Sequence, residues 1–259
     1  MRTKIILEGG SNWKTLDDIK RMTEFAESIG CLWKGQLWQT EKFVRKSNPN
    51  YATYKKFEVP REWVEAVSAP HVFWTAFDPD SLLFLRIRIK PEYYKVASLD
   101  SDQKWLIEAC GRTNKQTFIS VGVYGLESIR QAVKWFDNPH KLTLMHSINY
   151  YGQCDYQLNY LRDRINGSRV IPWGLSLNHV NTVLPAIAVG LGVQAVEVHF
   201  RLDHITKTPD APHSFTKKQV IQMIENIKVA EDNMGNNERP LEIESMSIKA
   251  GKRKRDGRR

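Results

Sequence analysis

Apolar and polar positions alternate along this chain in a repeating rhythm. Short apolar runs at 4–8, 32–37, 71–75, 93–97, 117–120, 142–146, 170–175 and 195–199 read as strands, bounded by turn-forming and charged residues. Between them lie stretches with helical spacing. In "LDDIKRMTEFAESIG", Leu16, Ile19, Met22, Phe25, Ala26 and Ile29 form one stripe and Gly30 supplies a stop. "SDQKWLIEACG" opens on Ser101 as an N-cap and closes at Gly111, and "LESIRQAVKWF", "TVLPAIAVGLG" and "TKKQVIQMIENIKVAED" carry the same spacing. Eight strand–helix units in roughly 230 residues predict an α/β protein of the (β/α)8 TIM-barrel type, one domain over 1–235. A doubly wound open sheet competes, but its glycine-rich loop after the first strand is missing: "LEGGSNW" does not spell GxGxxG. The segment 39–60 reads as a long polar insertion between the second strand and its helix.

Composition adds little to this picture except at the C-terminus. The chain of 259 residues is 41% hydrophobic and 26% charged, in the range of a soluble globular protein. No apolar run approaches the ~18 residues of a membrane helix, so no membrane partner is expected, and the N-terminus lacks the apolar core of a signal peptide. Cys31, Cys110 and Cys154 form neither a disulfide framework nor a CxxC metal pair, which points to a reducing, cytoplasmic setting. The last eleven residues, "KAGKRKRDGRR", hold seven Lys or Arg against one Asp and so supply +6 of the net +9. Residues 236–259 are expected to be a disordered basic tail. It is read either as simply solvated or as a contact for nucleic acid or another polyanion.

In a barrel, chemistry sits where strands end. Those positions here hold Glu8, Lys34, Gln36, Thr75, Asp78, Lys95, Ser98, Asp100, Ser120, His146, Asn149, Ser176, His179, Glu197 and His199. Each alone has an ordinary explanation: a lysine that snorkels, a serine that caps, a histidine in a core. Together they suit an anionic substrate, with lysines and hydroxyls for phosphate or carboxylate and imidazoles for a divalent metal. A metal there can act on a carbonyl while Asp100 or Glu8 moves a proton. In "VEVHFRL", Glu197 and His199 stand two apart and share one strand face.

The motifs resemble the sialic acid synthase family. "ILEGGSNW" is similar to its E-x-G-x-N-H, "WKGQLW" to K-F-Q, "YKVASLD" to Y-K-I-A-S-x-E and "FISVGVYGLESI" to I-L-S-T-G-M-x-x-x-x-E-I. "LMHSINYY", "WGLSLNH", "VEVHFRLD" and "TPDAPHSF" resemble L-x-H-C-x-x-x-Y-P, G-x-S-D-H, I-E-x-H-F-x-x-D and G-P-D-H-x-x-S. The resemblance covers about residues 5–233. It implies a synthase that condenses phosphoenolpyruvate with an amino-sugar aldehyde of the N-acetylmannosamine kind, giving a nonulosonic acid and phosphate. It implies that Lys34, Lys95, Ser98, Ser120, Asn149 and Ser176 bind phosphoenolpyruvate. Glu8, Lys95 and Asp100 form the implied catalytic set, and Gln36, Tyr151 and Asp210 the implied sugar contacts. His199 and a second histidine hold the metal, usually Mn2+ in the family, with Mg2+ or Co2+ as alternatives. A homodimer is a further expectation.

Several positions depart from the family pattern. Aligned without a gap, the family's first metal histidine falls on Asn178; with a one-residue insertion it falls on His179, which is favoured because imidazole is the better donor for this metal class. Trp13 stands for a histidine, Asp100 for a glutamate and Val121 for a threonine. A basic tail stands where family members commonly carry a C-terminal antifreeze-like domain. Two other readings stay open: the same barrel acting on a phosphorylated or nucleotide-linked acceptor, and a non-enzymatic relative that binds a ligand.

Overall fold

The computed structural model describes residues 3–122, 125–168 and 170–234; the expected basic tail lies outside the described residues. Eight parallel strands close on themselves in sequence order: β1 (Lys4–Glu8), β2 (Leu32–Leu37), β3 (Val72–Ala76), β4 (Tyr93–Val96), β5 (Gln116–Val121), β6 (Leu142–Ser147), β7 (Trp173–Leu177) and β8 (Ala195–His199). β8 returns to β1 in the register Glu8 opposite His199. The helical segments are α1 (Leu16–Ser28), α2 (Thr40–Phe43), α3 (Tyr51–Lys56), α4 (Arg61–Ala66), α5 (Pro79–Phe84), α6 (Lys104–Gly111), α7 (Gly125–Trp135), α8 (Leu158–Gly167), α9 (Leu184–Gly190) and α10 (Lys217–Met234). The (β/α)8 barrel is therefore the fold.

Two sequence expectations shift locally. The seventh strand begins at Trp173 rather than at residue 170, because Pro172 has no N–H to give the ladder and only its carbonyl takes part, accepting from Leu144 N. Ser101 does not cap α6: its hydroxyl donates to the Ser98 carbonyl, and the helix starts three residues later, after Gln103. Thr15, by contrast, forms a full capping box with Asp18 at the start of α1.

Strand alternation decides what faces the barrel axis. Ile6, Phe73, Phe118, Met145 and Ala195 form an apolar layer inside the barrel, with Leu32 and Tyr93 packed against it. β7 contributes Gly174, where any Cβ would lie 2.4 Å from Met145 Sδ. Two residues further along each strand, the same inward phase brings Glu8, Lys34, Thr75, Lys95, Ser120, Ser147, Ser176 and Glu197 to the C-terminal half of the barrel. The opposite phase, with Leu7, Trp33, Trp74, Val96, Ile119, Leu144, Leu175 and Val198, is buried between strands and helices. The apolar layer closes the barrel from below and leaves the polar layer as the floor of an opening above it.

Candidate active site

The opening is a cavity of about 450 Å³ at the strand C-termini. Its floor is a quartet of buried charges. Lys34 Nζ lies 2.8 Å from Glu8 Oε1 and 3.7 Å from Glu197 Oε2. Lys95 Nζ lies 3.4 Å from Glu197 Oε1 and donates to Ser120 Oγ at 2.8 Å. Ser176 Oγ donates to the same Glu197 oxygen at 3.0 Å, Lys34 Nζ to Thr75 Oγ1 at 3.2 Å, and Gln36 Nε2 to Glu8 Oε1 at 2.7 Å. All four charged residues are at most 4% exposed. Charges this deep survive only when paired, and Glu197 is the partner both lysines share.

The pairing sets the protonation of the floor. Burial would raise the Glu8 carboxyl, but Lys34, His199 and Lys95 overcome it and hold it at about 2. Burial would discharge Lys34, yet Glu197 and Glu8 keep its ammonium above the ordinary lysine range. Lys95 goes the other way: burial, with Lys34 adding to it, outweighs Glu197 and Glu8 and pushes it down. Lys95 is thus the cation of the quartet that an incoming anion would stabilise most. Around it Ser98, Ser120, Ser147, Asn149 and Ser176 line the cavity, and the buried Ser98 Oγ has no hydrogen-bond partner. The arrangement is an anion receptor made of two ammonium groups and a ring of hydroxyls.

One wall carries His199. Its Nε2 lies 3.9 Å from Glu8 Oε2, and its buried Nδ1 has no hydrogen-bond partner. Beside it, Asp210 accepts from Ser11 N at 2.7 Å and Ser11 Oγ at 2.8 Å, while His213 Nε2 lies 3.4 Å from Asp210 Oδ1. Burial would raise Asp210, but His213, His199 and the Ser11 hydrogen bonds hold it well below the usual carboxylate range. Gly10, at φ +49°, makes room: a Cβ there would lie 2.3 Å from Asp210 Oδ2. Tyr151 covers the histidines, its ring centroid 4.6 Å from that of His213 and 6.1 Å from that of His199.

The cavity thus gathers Glu8, Lys34, Gln36, Lys95, Ser98, Ser120, Asn149, Tyr151, Ser176, His199 and Asp210 from the sequence-predicted set. Four of the residues named from the sequence lie elsewhere: Asp78, which caps α5, His146, His179 and Asp100. β7 keeps its inward phase through Gly174 and Ser176, and Asn178 just past its end lines the cavity, while His179 lines an adjoining one with Gln153 and Asn181 that shares Tyr151 and His213 with the first. The structure thus puts Asn178, and not the favoured His179, on the main cavity. Asn178 Nδ2 donates to the Ile148 carbonyl at 2.7 Å. Asp100 sits in the turn after β4, behind Ser98 and Leu99, and does not line the cavity; burial and Asp102 outweigh Lys95 and raise its carboxyl to about 6.

Three contributions escaped the sequence reading. Ser147 is inward by the alternation of β6, a phase that also sends His146 outward to bond the Tyr156 carbonyl at 2.7 Å. His213 comes from a turn after β8 that has no period to betray it. The segment 39–60, expected to be merely polar, supplies an aromatic wall in which Phe43, Tyr54 and Phe57 line the cavity with Trp38 and Phe77. Trp13, where the motif has histidine, packs edge-on against Phe57 and Trp63.

Fold and cavity together define a (β/α)8 barrel built on the enzyme plan, with a charged site at the C-terminal mouth. The chain belongs to the NeuB family, whose model matches residues 31–239. It is 28% identical over 252 residues to an uncharacterized protein of Methanocaldococcus jannaschii, covering 92% of this chain and 73% of that one. It is 24% identical over 230 residues to the pseudaminic acid synthase of Campylobacter jejuni, covering 83% of this chain and 63% of the synthase, so it spans a little under two thirds of that relative. Among solved structures, the N-acetylneuraminic acid synthetase of Leptospira borgpetersenii superposes with a TM-score of 0.86 at 21% identity, over 97% of this chain and 92% of that one. At that identity the likeness speaks to the fold.

Proposed function

We propose that this barrel condenses phosphoenolpyruvate with an amino-sugar aldehyde to give a nonulosonic acid and phosphate. The observation that carries the reading is the floor of the cavity, where Lys34 and Lys95 stand among Ser98, Ser120, Ser147, Ser176 and Asn149. That set matches a small ligand bearing both phosphate and carboxylate. Family membership and the nonulosonic acid synthases among the relatives support the same reaction class.

In this reading the two ammonium groups bind the phosphate and carboxylate of phosphoenolpyruvate and fix its C3 toward the histidine wall. The aldehyde carbon meets C3 there, and a new C–C bond forms. Water adds to C2 of the resulting cation, phosphate leaves with its ester oxygen, and the former aldehyde oxygen gains a proton. Glu8 is ionised and hydrogen-bonded by Gln36, which suits it to orient that water or a sugar hydroxyl. Asp210 and Tyr151 face the acceptor. Asp100 is one turn removed from the reacting atoms, so its part is to influence Lys95 rather than to touch substrate.

The donors present fit a divalent cation, taken as Mn2+ from the family resemblance: His199 offers an imidazole with an unpartnered buried nitrogen and is near the carboxylates of Glu8 and Asp210. Such a cation supplies Lewis-acid polarisation of a carbonyl when bound. Among the described residues no group of three or more His, Cys, Asp or Glu side chains is placed to hold a metal by itself, so open positions for water and substrate oxygen are part of the proposal. Among the described residues no helix is long and apolar enough to cross a membrane. The three free cysteines favour a reducing, cytoplasmic setting.

The test is incubation of the protein with phosphoenolpyruvate, Mn2+ and a panel of amino-sugar aldehydes, with phosphate and 2-keto acid both measured. Equimolar, aldehyde-dependent formation of the two is expected. Failure with every aldehyde, or phosphate release without a 2-keto acid of the summed mass, overturns the reading.

A further inference from the structure

We propose that His213 and His199 are the two imidazoles that hold the divalent cation of this site, with His213 providing the ligand that β7 does not. This inference rests on the reading above that the cavity uses a divalent cation. The inward β7 position is Asn178, whose amide nitrogen is committed to the Ile148 carbonyl. Its amide can offer one neutral oxygen, so β7 supplies no second imidazole to this cavity. His179 lines only the adjoining cavity, which shares His213 and Tyr151 with the main one, and it does not line the cavity that holds His199.

His213 is where a second imidazole is needed. Its ring centroid lies 5.6 Å from that of His199, the two planes at 88°, and both rings line the same cavity. Imidazoles sharing one cation at bond lengths of about 2.0–2.1 Å stand at this kind of separation. The placement is built in rather than incidental. Phe215 N donates to the carbonyl of His199 itself at 2.8 Å, and Arg201 N donates to the Phe215 carbonyl at 3.0 Å. This short bridge ties the turn Ala211–His213 to the end of β8. Asp210 completes the support: it is fixed by Ser11 and lies within 3.4 Å of His213 Nε2. A carboxylate on one nitrogen of an imidazole is how proteins orient a histidine whose other nitrogen binds a metal.

Two neighbouring imidazoles without a cation have another use, as an edge-on pair that merely packs against Tyr151. The two roles separate on metal affinity. Mn2+ alone is titrated into the full-length protein and its variants, and the loss of the free Mn2+ signal is followed by electron paramagnetic resonance. His213→Gln and His199→Gln are each expected to weaken binding at least about tenfold, whereas Asn178→Ala and His179→Gln change it less than threefold. His213→Gln binding within threefold of wild type overturns the assignment, as does an Asn178→Ala or His179→Gln loss equal to that of His199→Gln. Pulsed resonance on the wild-type protein with 15N-labelled histidine needs no variant to fold: two coupled imidazole nitrogens are expected, and one overturns the pair. A wild-type protein that binds no Mn2+ removes the cation altogether, a result distinct from failure of His213 alone and from absence of aldehyde-dependent phosphate release.

Discussion

Glu197 is the residue on which the buried charges balance, and Glu197→Gln puts that balance to the test. The side chain is 4% exposed, lies 3.4 Å from Lys95 Nζ and 3.7 Å from Lys34 Nζ, and accepts from Ser176. The amide keeps the shape and one hydrogen-bond acceptor but removes the charge. Lys34 retains Glu8 at 2.8 Å; Lys95 is left with no carboxylate in direct contact. Breaking a buried ion pair by removing one partner costs about 3–5 kcal/mol. Lys95 is already pushed toward its neutral form, and shedding its proton limits the damage, so about 3 kcal/mol is expected at neutral pH. With a urea m-value near 3 kcal/mol/M, the unfolding midpoint falls by roughly 1 M. Circular dichroism during urea titration measures it, with Glu92→Gln as the control. Glu92 pairs with Lys115 at 2.9 Å at the surface, and loss of that pair is expected to cost under about 1 kcal/mol. Inorganic phosphate should recover part of the Glu197→Gln loss by taking the place of the missing negative charge, and should stabilise wild type less. A Glu197→Gln midpoint equal to that of Glu92→Gln, unmoved by phosphate, would refute the coupling of the quartet.

Three further outcomes follow from named groups. Asp100→Asn should stabilise the protein by about 3 kcal/mol at pH 7 and above and by almost nothing below the unfolded carboxyl value of 3.8, because a carboxyl raised from 3.8 to about 6 costs stability only where the folded state must ionise it; pH-dependent urea unfolding reads this, and a gain that persists undiminished at about pH 3 contradicts it. Phosphate binding should take up protons at alkaline pH and weaken as pH rises through the depressed Lys95 value, since an anion restores the ammonium that burial disfavours; calorimetry in buffers of different ionisation heat measures the uptake, and Lys95→Met should abolish it. Gly10→Ala should cost about 1–3 kcal/mol through its positive φ and should displace Asp210, whose Oδ2 a Cβ would meet at 2.3 Å; unchanged urea stability and unchanged Mn2+ affinity together would contradict that contact.

The strands were legible because a parallel barrel buries both faces and writes each strand as a compact apolar run. The floor was legible for a related reason: a lysine or glutamate inside such a run, as in "LWKGQL" or "VEVHF", is a local contradiction that only a site resolves. Phase was the harder matter. Asn178 and His179 differ by one position, and only the alternation Gly174, Ser176, Asn178, pinned by Met145 against Gly174, sets which of them faces the cavity. His213 was invisible because turns carry no period, and its nearness to His199 comes from a bridge between Phe200 and Phe215 that no local pattern announces. The aromatic wall had a trace in the sequence, with Phe43, Tyr54 and Phe57 scattered through a mostly polar segment, but scattered rings do not say that they converge. Phe43 and Tyr54 converge because Trp38 and Phe77 follow β2 and β3 and gather them, and Phe57 is held by Trp13.

The central claim is that the floor built by Lys34 and Lys95 receives phosphoenolpyruvate. Its most direct test is a crystal structure of the protein soaked with phosphoenolpyruvate and Mn2+. The account predicts phosphate and carboxylate oxygens at charge-assisted hydrogen-bond distance, about 2.7–2.9 Å, from both lysine Nζ atoms, with C3 turned toward His199 and His213. Ligand bound outside the barrel mouth, or a quartet left intact with neither lysine touching the ligand, would contradict it.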